Sequence, residues 1–302
     1  MKIVDTFLFS EPHEKDLLLV KFNLEKDVVN EWVILENAYT LQGDYKGLYA
    51  KEVIEGDSRF SEFKDRITII SKNELLHPNN NVEDANFERE KWQRGLMYDY
   101  VTSNYGEGDW VIIGDADESV DFSDVDRRNF VLNALNHGPN YPIIRIGHIR
   151  YWYDFDNRCF IPNFKVHFVR AGALKTHPEL VRARNMQGPT FRAENPAAFE
   201  YSYCFNSSEE VFRKKCTYAH THFDMESVLT GLECNHWPRT KARFDSGLDP
   251  GNKVGDFEYD FFEKVELTPQ NSPKYVRDNF DWLATNVVNP DYKENRKQKY
   301  GI

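Results

Sequence analysis

The 302-residue sequence predicts an α/β fold, a mixed and mainly parallel sheet flanked by helices, on two observations. Apolar runs of strand length alternate with stretches of helical period over about the first 150 residues. One of those runs, Trp110-Val111-Ile112-Ile113-Gly114, leads straight into Asp115-Ala116-Asp117-Glu118. Carboxylates therefore crowd the carboxyl end of a strand that reads as buried. In open α/β sheets that end of the strands is where ligands bind.

Each element follows from its own pattern. Lys2 to Phe9 reads as the first strand, and Glu14 to Leu24 as a helix with Leu17, Val20 and Leu24 on one face. Glu31 to Glu36 and Arg66 to Ser71 read as the next strands. Leu76 to Asp84, with its Pro-Asn-Asn-Asn, reads as a polar loop. Phe87 to Val101 reads as a helix with Trp92, Leu96, Tyr100 and Val101 as its apolar stripe, leaving Arg89, Gln93 and Arg94 largely off it. After the carboxylate-bearing strand comes a helix from Asp126 to Asn136, stopped at His137-Gly138-Pro139. Tyr141 to His148 is a further strand. The pattern then becomes irregular. Tyr151-Trp152-Tyr153 is aromatic, and alternating burial in a strand accounts for it better than a sugar-stacking platform. Residues 171–200 read as loop, and Ser207-Ser208-Glu209-Glu210 opens a helix to about Ala219 in the manner of a capping box. Residues 290–302 are polar and read as frayed.

Composition bounds the function. A net charge of −11, from 38 basic and 49 acidic residues, argues against a nucleic-acid partner, which needs a basic surface. No apolar stretch approaches the roughly 18–20 residues of a membrane span, and the first residues do not read as a signal peptide. A soluble, cytoplasmic protein is expected. Cys159, Cys204, Cys216 and Cys234 form no Cys-x-x-Cys pair, so free thiols are expected.

In extended backbone, Asp115 and Asp117 would point to one side, roughly 6–7 Å apart. That spacing suits one divalent cation and one sugar hydroxyl. Mg²⁺ or Mn²⁺ prefers oxygen ligands and commonly bridges to substrate phosphates. The motif therefore points to a metal-dependent nucleotide-sugar site.

Three blocks, in order, resemble glycosyltransferase family 17. The first is Asp5-Thr-Phe-Leu-Phe9 with Asp16-Leu-Leu, then Val33-Ile-Leu-Glu36 and Thr40. The second is Arg89-Glu90-x-x-Gln93-Arg94 followed by Asp109 through Glu118. The third is Tyr201-Ser-Tyr203, then Glu209 to Lys215, then Tyr218-Ala-His220-Thr-His-Phe-Asp224. The family's animal members are β-1,4-mannosyl-glycoprotein 4-β-N-acetylglucosaminyltransferases. The resemblance implies a GT-A-type nucleotide-sugar-binding fold in a single domain spanning 1–302. Residues 1–150 would form the nucleotide-sugar half, and 151–302 the acceptor-side half and C-terminal extension. It implies inverting transfer of a sugar, GlcNAc first, from a UDP-sugar to a carbohydrate acceptor on glycoprotein, glycolipid or polysaccharide. The chain is expected to depart from the family pattern in lacking the N-terminal membrane anchor of the animal members. It also has Ser119-Val120 after the acidic motif, and Ala198-Phe199-Glu200 before the Ser-Tyr element.

Roles follow from the resemblance. Asp117 would hold Mn²⁺ or Mg²⁺, with Asp115 sharing the metal or binding the ribose. His220, or His222 two residues on, would complete the shell as the family's late histidine. Arg89 and Arg94 would face the diphosphate, and Glu36 the uridine. An inverting transfer needs a carboxylate base. Glu118, Glu194, Glu200 and Asp224 are the candidates, with Glu200 preferred. Zinc held by Cys216, His220, His222, Cys234 and His236 is disfavoured, because structural zinc sites show closer Cys pairs. Two other readings stay open: a sugar- or nucleotide-binding module without turnover, and a metal-dependent phosphoester hydrolase.

Overall fold

Side chains alternating between two covered faces organise the sheet. The computed structural model of the chain describes residues 1–77, 82–137, 141–152, 154–159, 163–176, 189–191, 196–202, 204–207, 210, 214 and 262–287. Strands β1 (Ile3–Leu8), β2 (Glu31–Asn37), β3 (Ile67–Lys72) and β4 (Trp110–Ile113) lie parallel in the order β3-β2-β1-β4. Their register sets Thr6 level with Val33 and Ile113. The carboxyl ends of these strands therefore share one edge. Beyond β4 the sheet continues through β8 (Asn163–Arg170), β6 (Ile143–Trp152), β7 (Asn157–Cys159) and β11 (Phe262–Lys264), each antiparallel to its neighbour on this path. Short β5 (Glu118–Val120) pairs antiparallel with β10 (Ala198–Ser202), which runs parallel to β6. β9 (Thr190–Phe191) also pairs with β6.

Alternation sends Ile3, Phe7, Trp32, Ile34, Trp110 and Ile112 to one face. There they meet α1 (Lys15–Glu25), α2 (Ala50–Gly56) and α4 (Val125–His137). Val4, Val33, Leu35, Val111 and Ile113 go to the other face, against α3 (Val82–Asn104) and α5 (Ala171–Thr176). Helix α1 is apolar on two sides. Leu18, Leu19 and Phe22 pack on the sheet. Leu17, Val20 and Leu24, the predicted face, pack with Phe199, Tyr201 and the helices α6 (Lys274–Asp278) and α7 (Phe280–Asn286). Each fully buried large apolar side chain is worth about 1.5–3 kcal/mol, so α1 is the element that ties the two layers together.

The mixed sheet with flanking helices is as the sequence predicts, and most of its parallel pairing falls in the first four strands. Several local expectations are corrected. The carboxylate motif is followed by β5, not directly by a helix, because the chain turns back to pair with β10. Residues 171–200 are not all loop: α5 opens them, and β9 and the start of β10 lie within them. Helix α3 begins inside the predicted polar loop, at Val82. Its buried side is Asn86, Glu90, Gln93, Arg94, Met97, Tyr98 and Val101. The stripe thus turns polar at its N-terminal half, where α3 runs past the apolar sheet onto its carboxyl edge. Tyr151 is fully buried and stacks on Tyr201 at 5.7 Å. The side chain of Trp152, all of Tyr153 and residues 288–302 lie outside the described residues.

Candidate functional site

The site grows from the turn between β4 and β5. Asp115-Ala116-Asp117 is not extended, as the sequence suggested, but a turn closed by Glu118 N donating to Asp115 O at 3.1 Å. Glu118 folds back over it, and its Oε2 accepts from Asp115 N at 3.2 Å. A Cβ on Gly114 would stand 3.2 Å from that same oxygen, so glycine is what lets the carboxylate close the turn. The Asp117 carbonyl accepts from Tyr201 N at 2.9 Å, which fixes the turn to β10. Because of the turn the two aspartates differ: the Asp115 side chain is 33% exposed and that of Asp117 7%.

Arg94 braces the first aspartate. From α3 it donates to Glu90 Oε1 at 3.1 Å, Gly114 O at 3.1 Å and Asp115 Oδ1 at 2.5 Å. Burial opposes its charge, but Asp115 and Glu90 together push the guanidinium further up. A buried ion with three acceptors is a fixed strut.

Lys214 braces the second. Its Nζ lies 2.7 Å from Glu14 Oε1 and 3.4 Å from Asp117 Oδ2. Glu14 Oε2 accepts from Ser10 N at 2.8 Å. Burial alone would raise Glu14, but Lys214 outweighs it and the carboxyl sits below its usual range. Asp117 behaves oppositely. Burial, joined by Asp115, Glu200 and Glu14 and only partly opposed by Lys214, pushes it up to about 6.

Glu200 faces this cluster from β10, opposite Glu118 in the β5–β10 register. Its Oε2 lies 3.1 Å from His148 Nε2 and 3.3 Å from Arg150 Nε, and its Oε1 accepts from Ser202 Oγ at 2.6 Å. Ser202, on the same strand, donates to this carboxylate, and His148 and Arg150 on the neighbouring β6 lie against its other oxygen.

The structure thus brings Asp115, Asp117, Glu118, Glu200 and Arg94 together. Arg94 meets the motif itself, holding Asp115 and the Gly114 carbonyl. Glu36, near the end of β2, and Arg89, on α3, take other partners. Glu36 is 1% exposed and accepts from Tyr49 N at 2.6 Å and Ala50 N at 2.9 Å, so it caps the start of α2. Arg89 donates to Leu76 O and Leu41 O, each at 3.0 Å, and so holds the loop after β2. Glu194, His220, His222, Asp224, Cys216, Cys234 and His236 lie outside the described residues. The capping box is present in part, with Glu210 N donating to Ser207 Oγ at 3.2 Å, while most of the helix expected after it is outside the described residues. Sequence reasoning missed Lys214, Glu14 and His148. Glu14 left one signal, an acid ahead of a run of apolar residues. Lys214 lay between two other cations, Arg213 and Lys215, and nothing in the pattern singled it out.

The residues suit a hard divalent cation. Asp115 reaches solvent, Asp117 adjoins it, and Mg²⁺-type ions commonly use one or two carboxylates plus substrate phosphates and water. Among the described residues no set of three His, Cys, Asp or Glu side chains is grouped to hold a metal by itself. Nor, among them, is any helix long and apolar enough to cross a membrane.

The profile of Glycosyltransferase family 17 matches residues 1–230. No curated protein matches the chain. Among solved structures, a mannose-6-phosphate isomerase from Helicobacter pylori aligns with 15% identity and TM-score 0.35, over 61% of this chain and 78% of that one. A glycosyltransferase involved in glycosylation of the major capsid of PBCV-1 aligns with 11% identity and TM-score 0.31, over 72% and 98%. The galactosyltransferase LgtC, in complex with donor and acceptor sugar analogs, aligns with 12% identity and TM-score 0.31, over 98% and 100%. At these values the structural likenesses add nothing to the argument. The family match covers most of the chain and includes the whole turn from β4 to β5: the protein belongs to glycosyltransferase family 17 and is a sugar-transferring enzyme.

Proposed function

We propose that the protein is a metal-dependent, inverting glycosyltransferase that uses a UDP-sugar, UDP-GlcNAc first, and a hydroxyl of a carbohydrate acceptor. The observation that carries this reading is the pair Asp115–Asp117, one partly exposed and one buried, each tied to a fixed cation at the carboxyl edge of the sheet. Asp117 and Asp115 would hold Mn²⁺ or Mg²⁺, with His220 as a further ligand. When bound, the ion supplies a Lewis acid beside the leaving diphosphate.

The chain's own groups do the rest. Lys214, already at Asp117, adds positive charge where the diphosphate departs. Arg94 keeps Asp115 and the Gly114 carbonyl in place. Glu200 serves as base: the acceptor oxygen bonds to the anomeric carbon, the diphosphate oxygen leaves with the bonding pair, and the hydroxyl proton passes to Glu200. His148 at 3.1 Å gives that proton a second site to share. Glu118 shapes the turn instead of touching substrate. Glu36 and Arg89 act on the donor through the loop they hold.

The test is UDP release across a panel of UDP-sugars, with and without Mn²⁺. Metal-dependent release with one sugar, lost in Asp117→Ala, is the expected result. Absence of release with every sugar, together with absence of Mn²⁺-dependent UDP binding, would overturn the reading in favour of a binding module.

A further inference from the structure

Residues 38–50, between β2 and α2, form a loop that is braced far beyond what a connection needs. Tyr39 and Tyr45 close a short antiparallel bridge. Thr40 N donates to Asp44 O at 2.8 Å, Asp44 N to Thr40 Oγ1 at 3.1 Å, and Lys46 N to Ala38 O at 2.8 Å. Gly43 and Gly47 adopt φ of 103° and 94°, which L side chains rarely tolerate. Glu36 clamps the far end through Tyr49 N and Ala50 N, and the Arg89 guanidinium lies where a Cβ on Gly43 would meet it at 3.3 Å. This rigid loop presents an aromatic pair. The Tyr39 and Tyr45 rings meet edge to face, 5.4 Å between centroids at 73°, and Tyr45 is 67% exposed. A large ring held out by a rigid loop binds at low entropic cost.

Its place relates it to the proposed donor site. The loop leaves β2 at the edge where the Asp115–Asp117 turn leaves β4, with only β1 between them. Two strand spacings are about 10 Å. Helix α3 holds both: Arg89 grips the loop at Leu41, and Arg94 grips the turn at Gly114. The two arginines are five residues apart on that helix, a rise of about 7.5 Å along its axis. Glu200 and His148 lie on β10 and β6, on the far side of β4 from β2. A nucleotide sugar with its diphosphate at Asp115 and Asp117, and its sugar toward Glu200, must send its nucleoside toward β2.

We propose that Tyr45, backed by Tyr39, is the stacking platform for the nucleobase of the donor. The inference rests on the donor-site reading above. Stacking uses the π-face that every base has, so the platform binds uracil without selecting it strongly over other bases.

Calorimetric titration of the full chain with UDP, GDP and pyrophosphate, each with Mn²⁺, separates the possibilities. The expected result is that Tyr45→Ala weakens UDP and GDP roughly tenfold and leaves pyrophosphate unchanged, while Tyr45→Phe restores both nucleotides. An unaltered melting temperature is expected, since Tyr45 is exposed. Unchanged nucleotide affinity in Tyr45→Ala would overturn the platform while the donor site stands. So would an equal loss for pyrophosphate, which would mark damage to the edge as a whole. Wild-type protein that binds none of the three would overturn the donor site, and the platform with it.

Discussion

Helix α1 has a lysine-centred acid cluster at each end, and their geometries are nearly the same. At its C-terminal end Lys21 lies 2.6 Å from Asp5 and 3.4 Å from Glu25. At its N-terminal end Lys214 lies 2.7 Å from Glu14 and 3.4 Å from Asp117. Each cluster sets two carboxylates against one ammonium. They differ in how the second acid is satisfied. Glu25 is fully buried and accepts from Trp32 Nε1 at 2.9 Å and Val120 N at 3.1 Å. Burial, then Asp5, pushes it well above the usual carboxylate range. Lys21 also donates to the Glu118 carbonyl at 2.5 Å, so this cluster serves the β5 backbone in place of a neighbouring strand. Asp117 has Lys214 and lies beside the part-exposed Asp115. Burial there raises it only to about 6. The same charge arithmetic gives architecture where protein donors close the cluster, and leaves room for the cation proposed above where they leave it open.

The largest expected effect is on transfer. Asp117→Ala should lower it by about 10³-fold or more, the scale of losing a principal charge-stabilising group. Thermal stability should hold or rise, because an acid crowded by acids is removed. A stability loss as large as that of a core mutation would mean the open cluster is architectural too.

Lys21→Met should cost about 3–5 kcal/mol in denaturant unfolding, since it strands buried Asp5 and the Glu118 carbonyl. Asp5→Asn combined with Lys21→Met should recover part of that. A loss under about 1 kcal/mol would erase the contrast between the two ends of α1.

Lys214→Met should move two readouts in opposite directions. Mn²⁺ binding should tighten roughly tenfold as a neighbouring positive charge disappears, while transfer falls. Both falling together would show that Lys214 supports the shape of the site more than its charge.

The smallest expected effect is in pH. Asp117 ionises near 6 when folded, against 3.8 ordinarily. Its raised value adds stability that is fully present below about 3.8 and lost as pH rises through about 6. Cation binding needs the ionised form, so Mn²⁺ affinity should drop about tenfold per pH unit below 6. A flat calorimetric profile between pH 5 and 7 would mean Asp117 is not a ligand.

Much of this was legible in the chain. Strands β1 to β4 announced themselves as apolar runs, and Asp115 and Asp117 as acids at the end of one. The long polar run of α3 was misread, because Glu90, Gln93 and Arg94 look solvent-facing until their partners are known. β5 and β10 were missed because each is too short to show a clear period: β5 is a strand only by virtue of β10, and β10 by virtue of β5 and β6.

The sequence by itself determined the α/β class, the carboxylate motif and the family, because local period and contiguous residues carry them. Tertiary structure alone decided the rest. Glu14 and Lys214 are 200 residues apart, and Arg94 and Asp115 are 21. No local pattern announces an ion pair between distant residues. Whether an acid becomes a ligand, a cap like Glu36 or a buried brace like Glu25 depends on which donors and how much water folding leaves around it.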